Sequence, residues 1–260
     1  MKKILVAMLF APLMAFASGA ALHLDKWPGS VADKPALQNG AKLFVNYCLN
    51  CHGASYLRYN KLTEIGLTEQ QIKDNLMFTA EKIGEPMRVA ARTDEQKKWF
   101  GAAPPDLTII ARARGSADGS GADWLYTYLR QFYRDDNRPT GGNNVFFENV
   151  GMPHILWELQ GQQVMNKDHK LELAVPGKLS PKDYDKAVSD LVGFMVWMGE
   201  PQQEQRKSLG WIVLAFLAVI FVFAYQLKKE YWKDIHSASC PDYGIAGAEP
   251  PAPMRCRFVF

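Results

Sequence analysis

Apolar and polar positions recur with a helical period in several stretches of the chain. Between Lys34 and Tyr47, residues Leu37, Ala41, Phe44 and Val45 share one face, which predicts a helix there. Thr68-Glu69-Gln70-Gln71 has the form of a capping box and predicts a helix running to Thr79, with Ile72, Leu76 and Phe78 turned inward. Asp123 stands before an aromatic-rich helical stretch from Trp124 to Tyr133 and is read as its cap. The clearest signals come last. Ser180 is placed as an N-cap, Pro181 at the first helical position and Asp183 as the reciprocal partner. Val188, Leu191, Val192, Met195 and Val196 then follow an i, i+3, i+4, i+7, i+8 series that Gly199 and Pro201 end. Between these helices, 81–100 reads as loop with a short helix, Ala103-Pro104-Pro105-Asp106-Leu107 as rigid loop, and 109–114 as a short helical turn. The segments 115–121 and 135–144 read as polar loops. No segment reads as a strand, so the expected fold is mostly α.

Two runs are apolar without a period. The first, Ile4 to Ala17, follows Lys2 and Lys3 and ends among small residues, in both Ala15-Phe16-Ala17 and Ser18-Gly19-Ala20. That is the form of a secretory signal peptide, assigned to residues 1–20, against the alternative of an uncleaved anchor. The second run, Leu209 to Leu227, holds 19 residues without a charge. At about 1.5 Å per residue it approaches the roughly 30 Å hydrocarbon core of a bilayer. Trp211 stands near one end, with Tyr225, Tyr231 and Trp232 near the other, as in an interfacial aromatic belt. Lys228, Lys229 and Lys233 after the span outnumber Arg206 and Lys207 before it, which favours a cytoplasmic C-terminal side. The expected organisation is therefore a signal peptide, an extracytoplasmic domain over 21–207, an anchor over 208–228 and a short disordered tail over 229–260.

Composition narrows the function classes. The 260 residues carry 30 Lys and Arg against 27 Asp and Glu, a formal charge of +3. The two lysines at the start and the slight excess after Lys207 account for it, so the exported segment is neutral. That excludes a nucleic-acid reader built on a basic face. Four cysteines in a chain of this length do not make a disulfide scaffold.

The chemistry is concentrated in Cys48-Leu49-Asn50-Cys51-His52. Cys-x-x-Cys-His is the c-type haem attachment signature: two thiols three positions apart each take one haem vinyl, and the adjacent imidazole is placed to ligate the iron. A structural disulfide does not require His52, a thioredoxin-like pair requires a βαβ context, and a zinc site requires further ligands. Cys240 and Cys256 lie beyond the span and cannot supply them. The reading is one covalently attached haem c. A sixth ligand separates electron transfer from an open-site haem enzyme such as a peroxidase. Candidates in the exported segment are Met77, Met87, Met152, Met165, Met195, Met198 and His154. Met195 and Met198 fall on the apolar face of the last soluble helix, and Met77 in a helical pattern. Met152 stands in the turn-rich Gly151-Met152-Pro153, from which a thioether can cross to the other haem face. Met87, Met165 and His154 stay open beside it. Arg112 and Arg114 are candidates for pairing a haem propionate, against a plain solvated basic face.

The chain resembles the cytochrome c1 family, the haem-c subunits of bacterial quinol–cytochrome c reductase (bc1) complexes. The resemblance rests on the Cys48–His52 motif, Tyr56-Leu57-Arg58-Tyr59, Ala103-Pro104-Pro105-Asp106-Leu107-Thr108, Ala111-Arg112-Ala113-Arg114, Gly151-Met152-Pro153 and the C-terminal anchor, over about 22–235. It implies a class I cytochrome c-like haem domain with insertions plus one C-terminal transmembrane helix. Gly40 and Phe44 would meet Phe194 or Trp197 where the first and last soluble helices cross. It further implies His52 and Met152 as iron ligands, Cys48 and Cys51 as the attachment residues, Pro105 packed on the haem and Arg114 on a propionate. The implied role is an electron-transfer subunit without catalysis of its own. It would accept an electron from the Rieske iron–sulfur protein and pass it to cytochrome c. The implied setting is a dimeric complex with cytochrome b in the bacterial inner membrane, with the haem domain periplasmic. An anchored cytochrome c serving an oxidase or dehydrogenase is the alternative. The Cys-containing tail after Ser237 departs from the family pattern.

Overall fold

The computed structural model describes residues 23–89 and 91–237. The signal peptide assigned to 1–20, and Cys240 and Cys256 in the tail, lie outside them. The chain divides into two units between Glu204 and Gln205.

The first unit is built around two crossing helices. Helix α1 (Lys34–Leu43) starts at Asp33, whose carboxylate accepts the Ala36 N–H. It runs into a five-residue π turn, Phe44–Cys48, in which Leu49 N–H reaches back to Phe44 C=O at 2.9 Å. Wide turns of this kind recur at functional sites; here the turn delivers the chain into the Cys-x-x-Cys-His segment. The apolar face expected of this helix is realised: Leu37, Ala41, Phe44 and Val45 are all buried. Their partner is α7 (Pro181–Gly199), opened by Ser180 with its side chain accepting the Asp183 N–H. Val188, Leu191, Val192, Met195 and Met198 of α7 are buried.

Gly40 lets these helices touch. A Cβ there would strike the backbone carbonyl of Asp190 and stand 2.7 Å from the Phe194 Cβ. Next to it Phe44 and Phe194 pack with ring centroids 5.5 Å apart, and Phe194 stacks on Trp197 at 5.8 Å. Asn39 and Lys186 both donate to the buried Asp190 carboxylate, at 2.8 and 2.9 Å, so the polar group at the crossing is satisfied. Gly40→Ala is expected to lower stability by about 1–3 kcal/mol, since backbone cannot yield as a side chain can. Denaturant unfolding measures it; an unchanged midpoint means that the crossing tolerates the extra carbon.

Between α1 and α7 the chain makes β1 (Ala54–Arg58), a 3-10 segment (Tyr59–Ile65), α2 (Glu69–Asn75), β2 (Pro86–Met87), α3 (Thr93–Phe100) and α4 (Ile110–Ala113). There follow α5 (Gly121–Arg130), β3 (Phe132–Arg134), β4 (Gly142–Asn144), α6 (Trp157–Gln160), β5 (Gly161–Met165) and β6 (Leu171–Pro176). Helix α2 has the expected capping box, with Thr68 and Gln71 bonded reciprocally, but ends at Asn75 rather than Thr79. Phe78 lies past that end and is 64% exposed, so it does not join Ile72 and Leu76 in the core. Helix α5 starts three residues earlier than expected: Ser120 is the cap, and Asp123 completes the box from inside the first turn.

The expectation of no strands is corrected. Among the described residues there are three two-stranded antiparallel sheets, β1–β2, β3–β4 and β5–β6. None has a clean two-residue alternation. β3–β4 is a three-residue pairing between the end of the stretch read as helix to Tyr133 and the end of the 135–144 loop, and β5–β6 has a register shift at Gln162–Gln163. Gln163 supports that ribbon by donating to the carbonyls of Arg130 and Phe132.

The described residues of the second unit are helical. Helix α8 (Gln203–Ser237) contains a span over 203–233 long and apolar enough to cross a membrane. Its apolar side chains are exposed along the span, as a lipid-facing helix requires.

Candidate functional site

The π turn and the four residues after it carry Cys48, Cys51 and His52. His52 N–H and Cys51 N–H both bond to Cys48 C=O, at 2.9 and 3.1 Å, which closes the motif into a tight loop. The two thiols are free, so the disulfide reading is set aside. Burial pushes the Cys48 thiol up to about 12, with Cys51 adding to it. The thiol therefore stays protonated at neutral pH.

The imidazole of His52 is oriented by the proline loop. Its Nδ1 lies 2.7 Å from the Pro105 carbonyl, which can only accept, so Nδ1 carries the proton and Nε2 keeps a free lone pair. Burial holds this imidazole below its ordinary pKa, against the opposing effects of the Pro105 bond and Asp106. It is thus neutral and competent as a ligand. The loop is itself secured. Leu107 N–H bonds to Gly53 C=O at 2.8 Å, and the Asp106 carboxylate accepts from Ser55 N–H, Thr108 N–H and Thr108 Oγ1. Burial pushes Asp106 upward, but these hydrogen bonds outweigh it and keep the carboxyl below its usual range.

These residues border a cleft of about 340 Å³ that opens to solvent, within the roughly 300–1,000 Å³ of ordinary small-molecule sites. Its walls bring together Cys48, Cys51, His52, Pro105, Arg114 and Met152 with Leu107, Ile110, Trp124, Leu125, Tyr128, Leu129, Ile155 and Met195. All six residues singled out in the sequence are present in one cavity. Arg114 lies over the Trp124 ring, 4.4 Å from its centroid, and Trp124 stacks on Tyr128 at 4.9 Å. The Tyr128 hydroxyl donates to Met152 Sδ at 3.5 Å. Burial pushes that phenol up to about 12, with Arg114 opposing, so it stays a donor.

Of the other candidate ligands Met195 also lines the cleft, from α7, and the remaining positions lie elsewhere. Met87 is fully buried in β2, Met165 is in β5, and Met77 packs against the core just past α2. His154 stacks on Phe132 at 5.1 Å and faces a separate groove with Trp157 and Gln162. Arg112 pairs with Glu200 at 2.6 Å instead of facing the cleft. Sequence reasoning missed Trp124, Tyr128 and Gln96. The first two stand four apart on α5, a spacing that can announce a shared face but not what the face covers. Gln96 is buried on an otherwise polar helix and donates to Cys51 C=O at 2.9 Å; no local pattern signals it.

The donor set tests the expected cofactor. Two thiols, a neutral imidazole and a thioether share one mostly apolar cleft with a guanidinium, a set that fits a haem with its two propionates. Fold and site together define a mostly helical c-type haem protein with a C-terminal membrane anchor. A model of the cytochrome C1 family matches residues 26–235. The chain is 44% identical over 250 residues to cytochrome c1 of Allochromatium vinosum, covering 91% of this chain and 100% of that one. It is 48% identical over 236 residues to a Nitrosomonas europaea protein named ammonia monooxygenase gamma subunit, covering 90% and 98%. It is 27% identical over 267 residues to cytochrome c1 of Rhodospirillum rubrum, covering 84% and 89%. The chain belongs to the cytochrome C1 family. It carries one covalently bound haem c and is an electron-transfer subunit of the bc1 complex, with cytochrome b and the Rieske protein as partners. The reading as an anchored cytochrome c of another system is not favoured.

Proposed function

We propose that Cys48 and Cys51 hold the haem through thioethers, that His52 and Met152 ligate its iron, that Pro105 packs against it and that Arg114 binds a propionate. The observation that carries this is the convergence of all six on one cleft from four separate stretches of chain. The bound haem supplies a one-electron ferric–ferrous couple. The residues around it do the rest. Pro105 fixes the His52 tautomer through its carbonyl. Trp124, Tyr128 and Leu129 line the cleft with large side chains that exclude water. A thioether ligand and burial both favour the ferrous state and raise the potential. No bond of a substrate is made or broken, so this subunit transfers electrons and is not itself an enzyme.

The electron enters from the Rieske protein and leaves to a cytochrome c, within a dimeric complex. Residues 1–20 direct export, 21–207 form the haem domain on the periplasmic side of the bacterial inner membrane, 208–228 cross it, and 229–260 end in the cytoplasm. The orientation is supported by the lysine-rich C-terminal flank of the span. Purification through this chain in mild detergent, followed by a reduced-minus-oxidised spectrum, tests the reading. A c-type band with b-type bands beside it is expected; no Soret absorption from the chain itself would refute it.

A further inference from the structure

The loop that carries Met152 is short of secondary structure and turns through an unfavourable backbone. Asn149 has φ 59°, a left-handed conformation that Asn tolerates better than most residues but that still requires support. Gly151 follows two residues later and then Met152. A thioether is a weak, uncharged ligand, so its hold on a metal depends on how firmly its backbone is placed.

The support comes from the β3–β4 hairpin. Arg138 Nη1 donates to Asn149 Oδ1 at 3.0 Å, and Arg138 Nη2 donates to Asn149 C=O at 2.9 Å and to Val150 C=O at 3.5 Å. One planar guanidinium thus spans three oxygens of the turn, a geometry the compact ammonium of lysine cannot copy. From the other side, Asn143 Oδ1 accepts the Asn149 N–H at 2.9 Å, and Asn143 Nδ2 donates to Asp135 Oδ2 at 3.1 Å. Arg138 itself is fixed in the hairpin turn: its N–H bonds to Asp135 C=O and its C=O accepts Gly141 N–H. Arg138 does not line the cleft.

We propose that Arg138 is a positioning residue for Met152: its guanidinium clamps the Asn149–Val150 turn and so holds the thioether on the iron. The proposal rests on Met152 being the axial ligand. Without the clamp the loop leaves the iron more readily, and an added ligand competes better for the vacated position.

The test uses the detergent-solubilised, haem-loaded full chain and added imidazole as the probe. Arg138→Ala is expected to keep its covalent haem and lose much of the long-wavelength charge-transfer band of a methionine–ferric haem pair. It should bind imidazole at least about tenfold more tightly, which is ~1.4 kcal/mol and within the reach of one charge-assisted hydrogen bond. Arg138→Lys should fall between Ala and the parent, and serves alone if the Ala variant does not accumulate. Ser180→Ala, which removes the cap of α7, is a control for general loosening: it should lower the melting temperature with band and imidazole affinity unchanged. Parent-like band and affinity in the Arg138 variants overturn the proposal, as does an equal shift in Ser180→Ala. Met152→Leu, measured alongside, must abolish the band; if it does not, the axial-ligand reading fails first and the clamp with it.

Discussion

Replacing Cys48 and Cys51 together by Ser abolishes covalent haem. A serine hydroxyl is a far weaker nucleophile than a thiol and forms no thioether with a vinyl group, while its similar size leaves the π turn and the Cys48 C=O contacts in place. On a denaturing gel, haem staining at the mass of this chain should fall to background. Staining that persists in the double variant would mean that attachment runs through other residues. The two single variants should each retain one link and stain partially. The loss should not mimic general unfolding, since Cys48 packs at the border of the cleft and the α1–α7 crossing at Gly40 is independent of it.

Met152→Leu has the second large effect, and a different signature. Leu nearly conserves volume, so packing beside Tyr128 and Ile155 is retained. The sulfur is lost both to the iron and to the Tyr128 hydroxyl, which donates to it at 3.5 Å. Haem stays attached, because the cysteines are untouched. If the thioether favours ferrous over ferric iron by about two to three decades, its loss lowers the midpoint by roughly 120–180 mV, at 59 mV per decade for one electron. The sign is fixed: removing a ligand that prefers the reduced state makes reduction harder. Reduction of cytochrome c by the complex should stop or nearly so. A redox titration with an unchanged midpoint removes Met152 from the ligand set.

The helices at the heart of the first unit were legible because each carries two kinds of local signal. Ser180, Pro181 and Asp183 mark a helix start by hydrogen bonding, and the Val188–Val196 series marks a buried face by periodicity. Where an element's end carries no such pair of signals, the sequence misplaces it. Asp123 was a sound helix-start residue but sits inside the first turn, because Ser120 takes the cap. Phe78 is apolar but stands two residues past Leu76, and α2 ends at Asn75 and leaves it in solvent. The ribbons of β3–β4 and β5–β6 have no pattern to read: β4 is buried on all three residues and β5–β6 shifts register and is held by side chains such as Gln163.

The sequence by itself determined the attachment chemistry, the neutral charge of residues 21–207, the apolar C-terminal span and the family. Each is carried by contiguous residues: the Cys48–His52 spacing, the charge balance over 21–207, the uncharged run over 209–227. Contiguous signals need no knowledge of which parts of the chain meet. Tertiary structure alone decided the rest. It brought Met152 into the cleft of His52 and left Met87, Met165 and His154 outside it. It turned Arg114 toward Trp124 while pairing its neighbour Arg112 with Glu200. It also placed the Arg138 guanidinium on the turn before Met152. The physical reason is the same in each case. A methionine, an arginine or a glutamine is chemically competent in many places, and what it does is set by the partners that long-range packing supplies.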